Sequence, residues 1–223
     1  MTDALADACQ KLLARFGTPL PPQGDAPFEV LASVLIARNA SRASVTRALE
    51  NLREADALTP AGIRELSVEE LELKLRPVGR ARDKAGRLRN VARLLGDRFE
   101  DSLEALFDLG TDDALQALTS VNGIGLETAE TVLLCVGGLA APVIDASLYR
   151  VLSRHGWIEF ETDHESLRDC VESGLGRDPE LFRQFHSLIG QVAKEYCRKT
   201  PRCEKCPLQP LLPDAGPCEP FFF

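Results

Sequence analysis

Two glycines separated by one residue, Gly123 and Gly125 in Val121-Asn-Gly-Ile-Gly125, stand between two segments of helical periodicity. Asp112–Leu118 precedes them with apolar residues at helical spacing, and the apolar run from Glu127 to Val136 follows and ends at Gly137-Gly138. Glycines at such a turn let the backbone approach another group closely, and the following helix offers free N–H groups and a positive dipole end. The arrangement suits a grip on a phosphate; glycines kept for turn geometry alone are the plainer reading. A dinucleotide fingerprint, Gly123-x-Gly125-x-x-x-Ala129, is excluded because it needs a strand before the glycines. No stretch of this chain alternates with period two.

The chain reads as all-α throughout. Leu5, Ala8, Cys9, Leu12 and Leu13 form one stripe, Phe28–Ala37 a buried helix, Val45, Leu49 and Leu52 another stripe, and Val68, Leu71 and Leu75 a further one. Gly17–Asp25, rich in proline and glycine, reads as a linker. Leu88, Val91, Ala92 and Leu95 mark a helix that Gly96 is expected to cap; Asp101-Ser102 is expected to open a short helix over Leu103–Leu109, and Thr111 to cap the next. Further helices are expected from near Ala146 to Trp157, over 164–173 and over 179–196. No apolar run is long enough to span a membrane, and the acids in Met1-Thr-Asp-Ala-Leu-Ala-Asp do not suit a signal peptide, so a cytoplasmic location is expected, nucleoid-associated in a prokaryote. Nothing physical accounts for the final Phe221-Phe222-Phe223.

Charge gives a mixed signal. The net charge of −8 opposes binding to nucleic acid, yet Lys74–Arg98 holds nine bases against two acids. That stretch reads equally as a solvated helix face or as a patch facing phosphates.

Seven cysteines in a chain of this type argue against a disulfide framework. Cys9, Cys135 and Cys170 lie among apolar neighbours and read as core thiols. Cys197, Cys203, Cys206 and Cys218 are gathered in one tail with the spacing C-x5-C-x2-C-x11-C. Four thiolates hold zinc or a [4Fe–4S] cluster. A zinc ribbon shows two C-x2-C knuckles and this tail shows one; Pro207 directly after Cys206 also favours iron–sulfur. Asp145 opens a helix in Val143-Ile-Asp-Ala146; it reads as an ordinary N-cap, or as a carboxylate whose orientation the cap fixes.

These residues together resemble the endonuclease III branch of the helix–hairpin–helix DNA glycosylases, over nearly the whole chain. Pro27–Ile36 through Asn39 is similar to the family's helix ending in a DNA-probing amide. Val78-Gly79 with Lys84-Ala85 is similar to its wedge-bearing loop and the next helix. Val121–Ala129 with Ile144-Asp145 resembles its hairpin and catalytic aspartate, and Phe185-His186 through Cys218 its cluster arm. The resemblance implies a six-helix barrel over 25–139 and a cluster domain formed by 1–24 and 140–223, with a DNA cleft between them. It also implies a [4Fe–4S] cluster on Cys197, Cys203, Cys206 and Cys218, and a monomer acting on double-stranded DNA with damaged bases or abasic sites. By the same resemblance Asp145 is catalytic, Glu127 at the pocket mouth is a second catalytic candidate as an assisting base or else faces solvent, and Gly123, Gly125, Asn39, Arg80, Arg82 and Lys84 contact DNA.

The departures are specific. Bifunctional members carry a lysine where this chain has Glu127, so no amine is available there for attack on the sugar. Gly-Ile-Gly-x-Glu-Thr-Ala with Asp145-Ala146 looks more like the monofunctional, alkylbase-type relatives. Arg80-Ala81-Arg82 lacks the apolar wedge, and eleven residues precede the fourth cysteine where the family has fewer. The expected activity is therefore glycosidic-bond hydrolysis with weak or absent strand cleavage; a DNA-structure-binding protein of low or no activity is the alternative.

Overall fold

The computed structural model describes residues 2–219, with side chains from residue 4 onward; Phe221–Phe223 lie outside the described residues. Among the described residues the regular structure is entirely helical, and no helix is long and apolar enough to cross a membrane. The chain forms two compact units: one is Pro21–Ala141, the other joins the segments before and after it.

The central unit is built around α2 (Pro27–Ala37), since α1 (Thr2–Phe16) belongs to the other. Leu31, Ala32, Leu35 and Ile36 are completely buried, so α2 is apolar on nearly every side. It packs against α3 (Arg42–Arg53), α6 (Ala81–Phe99) and α9 (Leu126–Cys135). Short helices α4 (Pro60–Glu65) and α5 (Val68–Lys74) cover α6 on another side, and α7 (Leu103–Phe107) leads to α8 (Thr111–Thr119), which pairs with α9. Their starts are set by side chains: Ser41, Thr59, Ser67 and Ser102 each accept an amide from the first turn, and Glu70 completes a capping box with Ser67. Thr111 is not the cap expected of it; Gly110 occupies that position with a positive φ of 82°, and Thr111 is the first helical residue.

In the other unit α1 packs on α11 (His164–Leu175) and α12 (Pro179–Glu195), and α10 (Ala146–Arg154) packs on α12. Gly174 permits the closest approach: a Cβ there would lie 2.9 Å from the Leu5 Cβ. Cys9 is buried in this core as read; Cys135 and Cys170 are only half-buried.

Candidate nucleic-acid interface

The hairpin is anchored by its apolar residues and exposed at its glycines. Val121 and Ile124 are buried, and the Ile124 amide donates to the Val121 carbonyl at 3.0 Å. Gly123 has φ of +90°, a conformation that side chains disfavour. Gly125 is the N-cap of α9 and no side chain caps that helix. Its first-turn amides have no intrahelical acceptor, so the helix presents donors and a positive dipole end beside exposed glycines.

Two side chains of α6 hold this turn. Arg87 Nε donates to the Gly123 carbonyl at 3.0 Å, and Asn90 Nδ2 to the Asn122 carbonyl at 3.0 Å. The same Arg87 guanidinium donates through Nη1 to the Leu35 carbonyl at 3.3 Å, near the C-terminus of α2. It thereby ties the hairpin to α2, the helix that ends at Ala37 just before Asn39. Burial lowers the Arg87 pKa, and the neighbouring Arg38 charge acts in the same direction. Asn39 itself is exposed, with a left-handed φ of 58°. Arg38 Nη2 lies 3.7 Å from Glu127 Oε2, in the first turn of α9. Asn39, Arg38, the hairpin and Glu127 thus share one edge of the central unit.

The loop before α6 has Gly79 at φ 64° and Arg80 at φ 47°, both left-handed. A non-glycine residue in that region stores backbone strain, which a surrounding structure must fix. Arg80 is 77% exposed and pairs with Asp83 at 3.0 Å; Arg82 is exposed as well. Lys84 is placed differently from the surface position that a phosphate contact needs. Its side chain is buried, its ammonium donates to the Val78 carbonyl at 2.7 Å, and burial lowers its pKa, with Arg87 and Arg80 adding to the effect. Lys84 supports the Val78–Arg80 loop from inside.

In the other unit Asp145 is the N-cap of α10: Oδ1 accepts the Leu148 amide at 2.7 Å, and the residue is half-buried. Arg150, one turn further along, donates through Nε to the Cys197 carbonyl at 2.7 Å. Cys197, Cys203 and Cys206 line one cavity together with Arg154 and His155. The Cys218 sulfur stands beside it, 3.5 Å from where a Cβ on Gly156 would lie. Burial pushes the Cys203 and Cys206 thiols up, and the neighbouring cysteines raise both further. A metal would reverse that balance by stabilising the thiolates. The donor set, three soft thiols lining one cavity and a fourth at Cys218 directly after the lining Pro217, is of the chemical type that an iron–sulfur cluster takes. Among the described residues the side chains are not drawn to ligating distances in any group of three.

Residues 32–174 match the HhH-GPD superfamily of base excision DNA repair proteins. A Methanocaldococcus jannaschii protein that carries the name DNA repair glycosylase is 32% identical over 183 residues, 82% of this chain and 83% of that one. The thymine/uracil-DNA glycosylase of Pyrobaculum aerophilum is 30% identical over 213 residues, 91% and 87% of the two chains. A trapped endonuclease III–DNA covalent intermediate shares the fold, with a TM-score of 0.75 over 95% of each chain at 22% identity.

Proposed function

The chain belongs to the HhH-GPD superfamily of base excision DNA repair proteins and is a DNA glycosylase, and we propose that it hydrolyses the glycosidic bond of a flipped-out damaged base without cutting the strand. The observation that carries this reading is Glu127. The first turn of α9 holds a carboxylate paired with Arg38 at 3.7 Å, and a carboxylate forms no Schiff base with the opened sugar.

In this reading the base leaves the stack at a cost of roughly a few kcal/mol, less for damaged or mispaired bases. The exposed, left-handed Asn39 and Arg80 probe the vacated gap, with Arg82 beside them. The hairpin amides around Gly123 and Gly125 hold a backbone phosphate. The Asp145 carboxylate opposes the positive charge that builds on the sugar as the C1′–N bond breaks. The base departs with the bonding pair, water adds its oxygen to C1′, and Asp145 accepts the proton released. Cys197, Cys203, Cys206 and Cys218 hold a [4Fe–4S] cluster whose part is to fix the arm carrying Arg198, Lys199, Arg202 and Lys205.

A panel of duplexes tests the proposal, with uracil, mispaired thymine, alkylated purine and oxidised pyrimidine as targets, read separately for base release and strand scission. Release without scission is expected, with little covalent product on borohydride reduction. Efficient trapping by the wild-type protein would show that an amine elsewhere in the chain acts as a nucleophile. Binding without release from any duplex would favour the non-catalytic DNA-binding reading.

A further inference from the structure

Beyond the cysteines themselves, one cation is built into their cavity. The Arg154 side chain is only 9% exposed. Nη1 donates to the Cys197 sulfur at 3.5 Å and to the Arg198 carbonyl at 2.6 Å; Nη2 donates to the Lys199 carbonyl at 3.3 Å and pairs with Glu219 Oε1 at 3.2 Å. The Arg154 backbone carbonyl accepts the Cys218 amide at 2.8 Å. One residue therefore binds both ends of the cysteine arm and places a full positive charge on a candidate ligand sulfur.

We infer that Arg154 is a positioning residue that sets the reduction potential of the cluster. The inference rests on the cluster reading above. A buried arginine needs its donors satisfied, and carbonyls alone would do that. Directing Nη1 at a thiolate does more, because a charge-assisted hydrogen bond withdraws electron density from the sulfur. Cluster potentials respond to net charge and to hydrogen bonds on the sulfurs. A nearby cation stabilises the more negative, reduced state, so Arg154 raises the potential. Arg150 differs: it meets the Cys197 carbonyl and not the sulfur.

The test uses the full-length protein as purified, with iron and sulfide analysis first and protein-film voltammetry second. Wild type lacking iron would refute the cluster reading and is distinguishable from failure of this inference. With iron present, Arg154→Gln is expected to shift the one-electron equilibrium about tenfold toward the oxidised cluster, a fall of about 59 mV. Arg154→Lys keeps the charge and should restore most of that shift while losing carbonyl contacts. Glu219→Gln removes the half-exposed carboxylate that offsets the guanidinium and should move the potential upward. If Arg154→Gln retains no iron, the Glu219→Gln measurement decides. An iron-loaded Arg154→Gln protein with the wild-type potential overturns the inference, as does an unmoved potential in Glu219→Gln.

Discussion

A helix cap and a catalytic carboxylate make the same demand on Asp145, a fixed side chain at the start of α10, and the two roles separate only on substitution. Oδ1 is committed to the Leu148 amide at 2.7 Å. Asparagine preserves that cap to within a few tenths of a kcal/mol, because its amide oxygen accepts the same hydrogen bond. It removes the negative charge that counts only when the sugar becomes cationic. Asp145→Asn should therefore lose base release by at least a hundredfold, the usual scale for one electrostatic stabiliser. Its melting temperature and its affinity for abasic DNA should stay level or, for affinity, rise, since a repulsion toward phosphate is gone. Base release at the wild-type rate would reduce Asp145 to a cap. Lys84 shows the converse case: its sequence position suggests a phosphate contact, and its burial under the Val78 carbonyl gives it a supporting role.

Between elements, the clearest electrostatic tie joins α4 to the end of α6. Arg64 donates to the Ala92 carbonyl at 2.9 Å and makes a two-pronged pair with Asp101, of which the Nη2–Oδ2 contact is 2.8 Å. The hydrogen bond from Arg64 holds the Asp101 carboxyl below the usual aspartate range. The unfolded chain therefore binds a proton on Asp101 at a higher pH than the folded one. The pair's contribution is complete above the unfolded value, near pH 4, and is lost as the pH falls through the lower folded value. Both side chains are about a third exposed, so solvent screening limits the contribution to roughly 1 kcal/mol. Urea unfolding should find Asp101→Asn weaker than wild type by about that amount at neutral pH, with the gap narrowing below about pH 4. A gap independent of pH would trace the loss to the geometry of the hydrogen bonds and not to the charge of the carboxylate. This same tie adjoins an element end that the sequence misplaces. Gly96 reads as a helix end, yet α6 continues to Phe99, and the glycine makes room for the Arg64 guanidinium, whose Cζ would lie 2.7 Å from a Cβ there. The long amphipathic elements and the hairpin were legible because apolar spacing and glycine pairs are local signals. Helix α4 was not, since six residues carry too little periodicity, although Thr59-Pro60 is a cap followed by an N1 proline. Arg38, Arg87 and Arg154 were equally illegible as organisers: each takes its meaning from an acceptor dozens of residues away.

For the molecule as a whole, the question is how a chain of net charge −8 holds a polyanion. Composition alone argues against it, and the folded distribution of charge supplies the answer. Of the bases from Lys74 to Arg98, Lys84 is turned inward and Lys74, Arg87 and Arg89 are half-buried, whereas Arg76, Arg80, Arg82, Arg93 and Arg98 are exposed. Arg38 and the cations of the cysteine arm, Lys194, Arg198, Lys199, Arg202 and Lys205, add to the exposed set. Binding carried by such local clusters depends on counterion release, which responds to the phosphates neutralised and not to net charge. If about six phosphates are neutralised, log K should fall against log salt with a slope near −5, on the order of 30-fold per doubling of salt. Replacing Arg80 and Arg82 together should shallow that slope by about 2. Because Arg80 stands on a strained loop proposed to enter the gap, the loss should be larger for abasic-site DNA than for intact duplex. Titrations of both substrates at several salt concentrations give slope and selectivity in one experiment. A flat salt response would remove the basic clusters from the interface, and equal losses on the two substrates would make Arg80 and Arg82 ordinary phosphate contacts with no part in probing the gap.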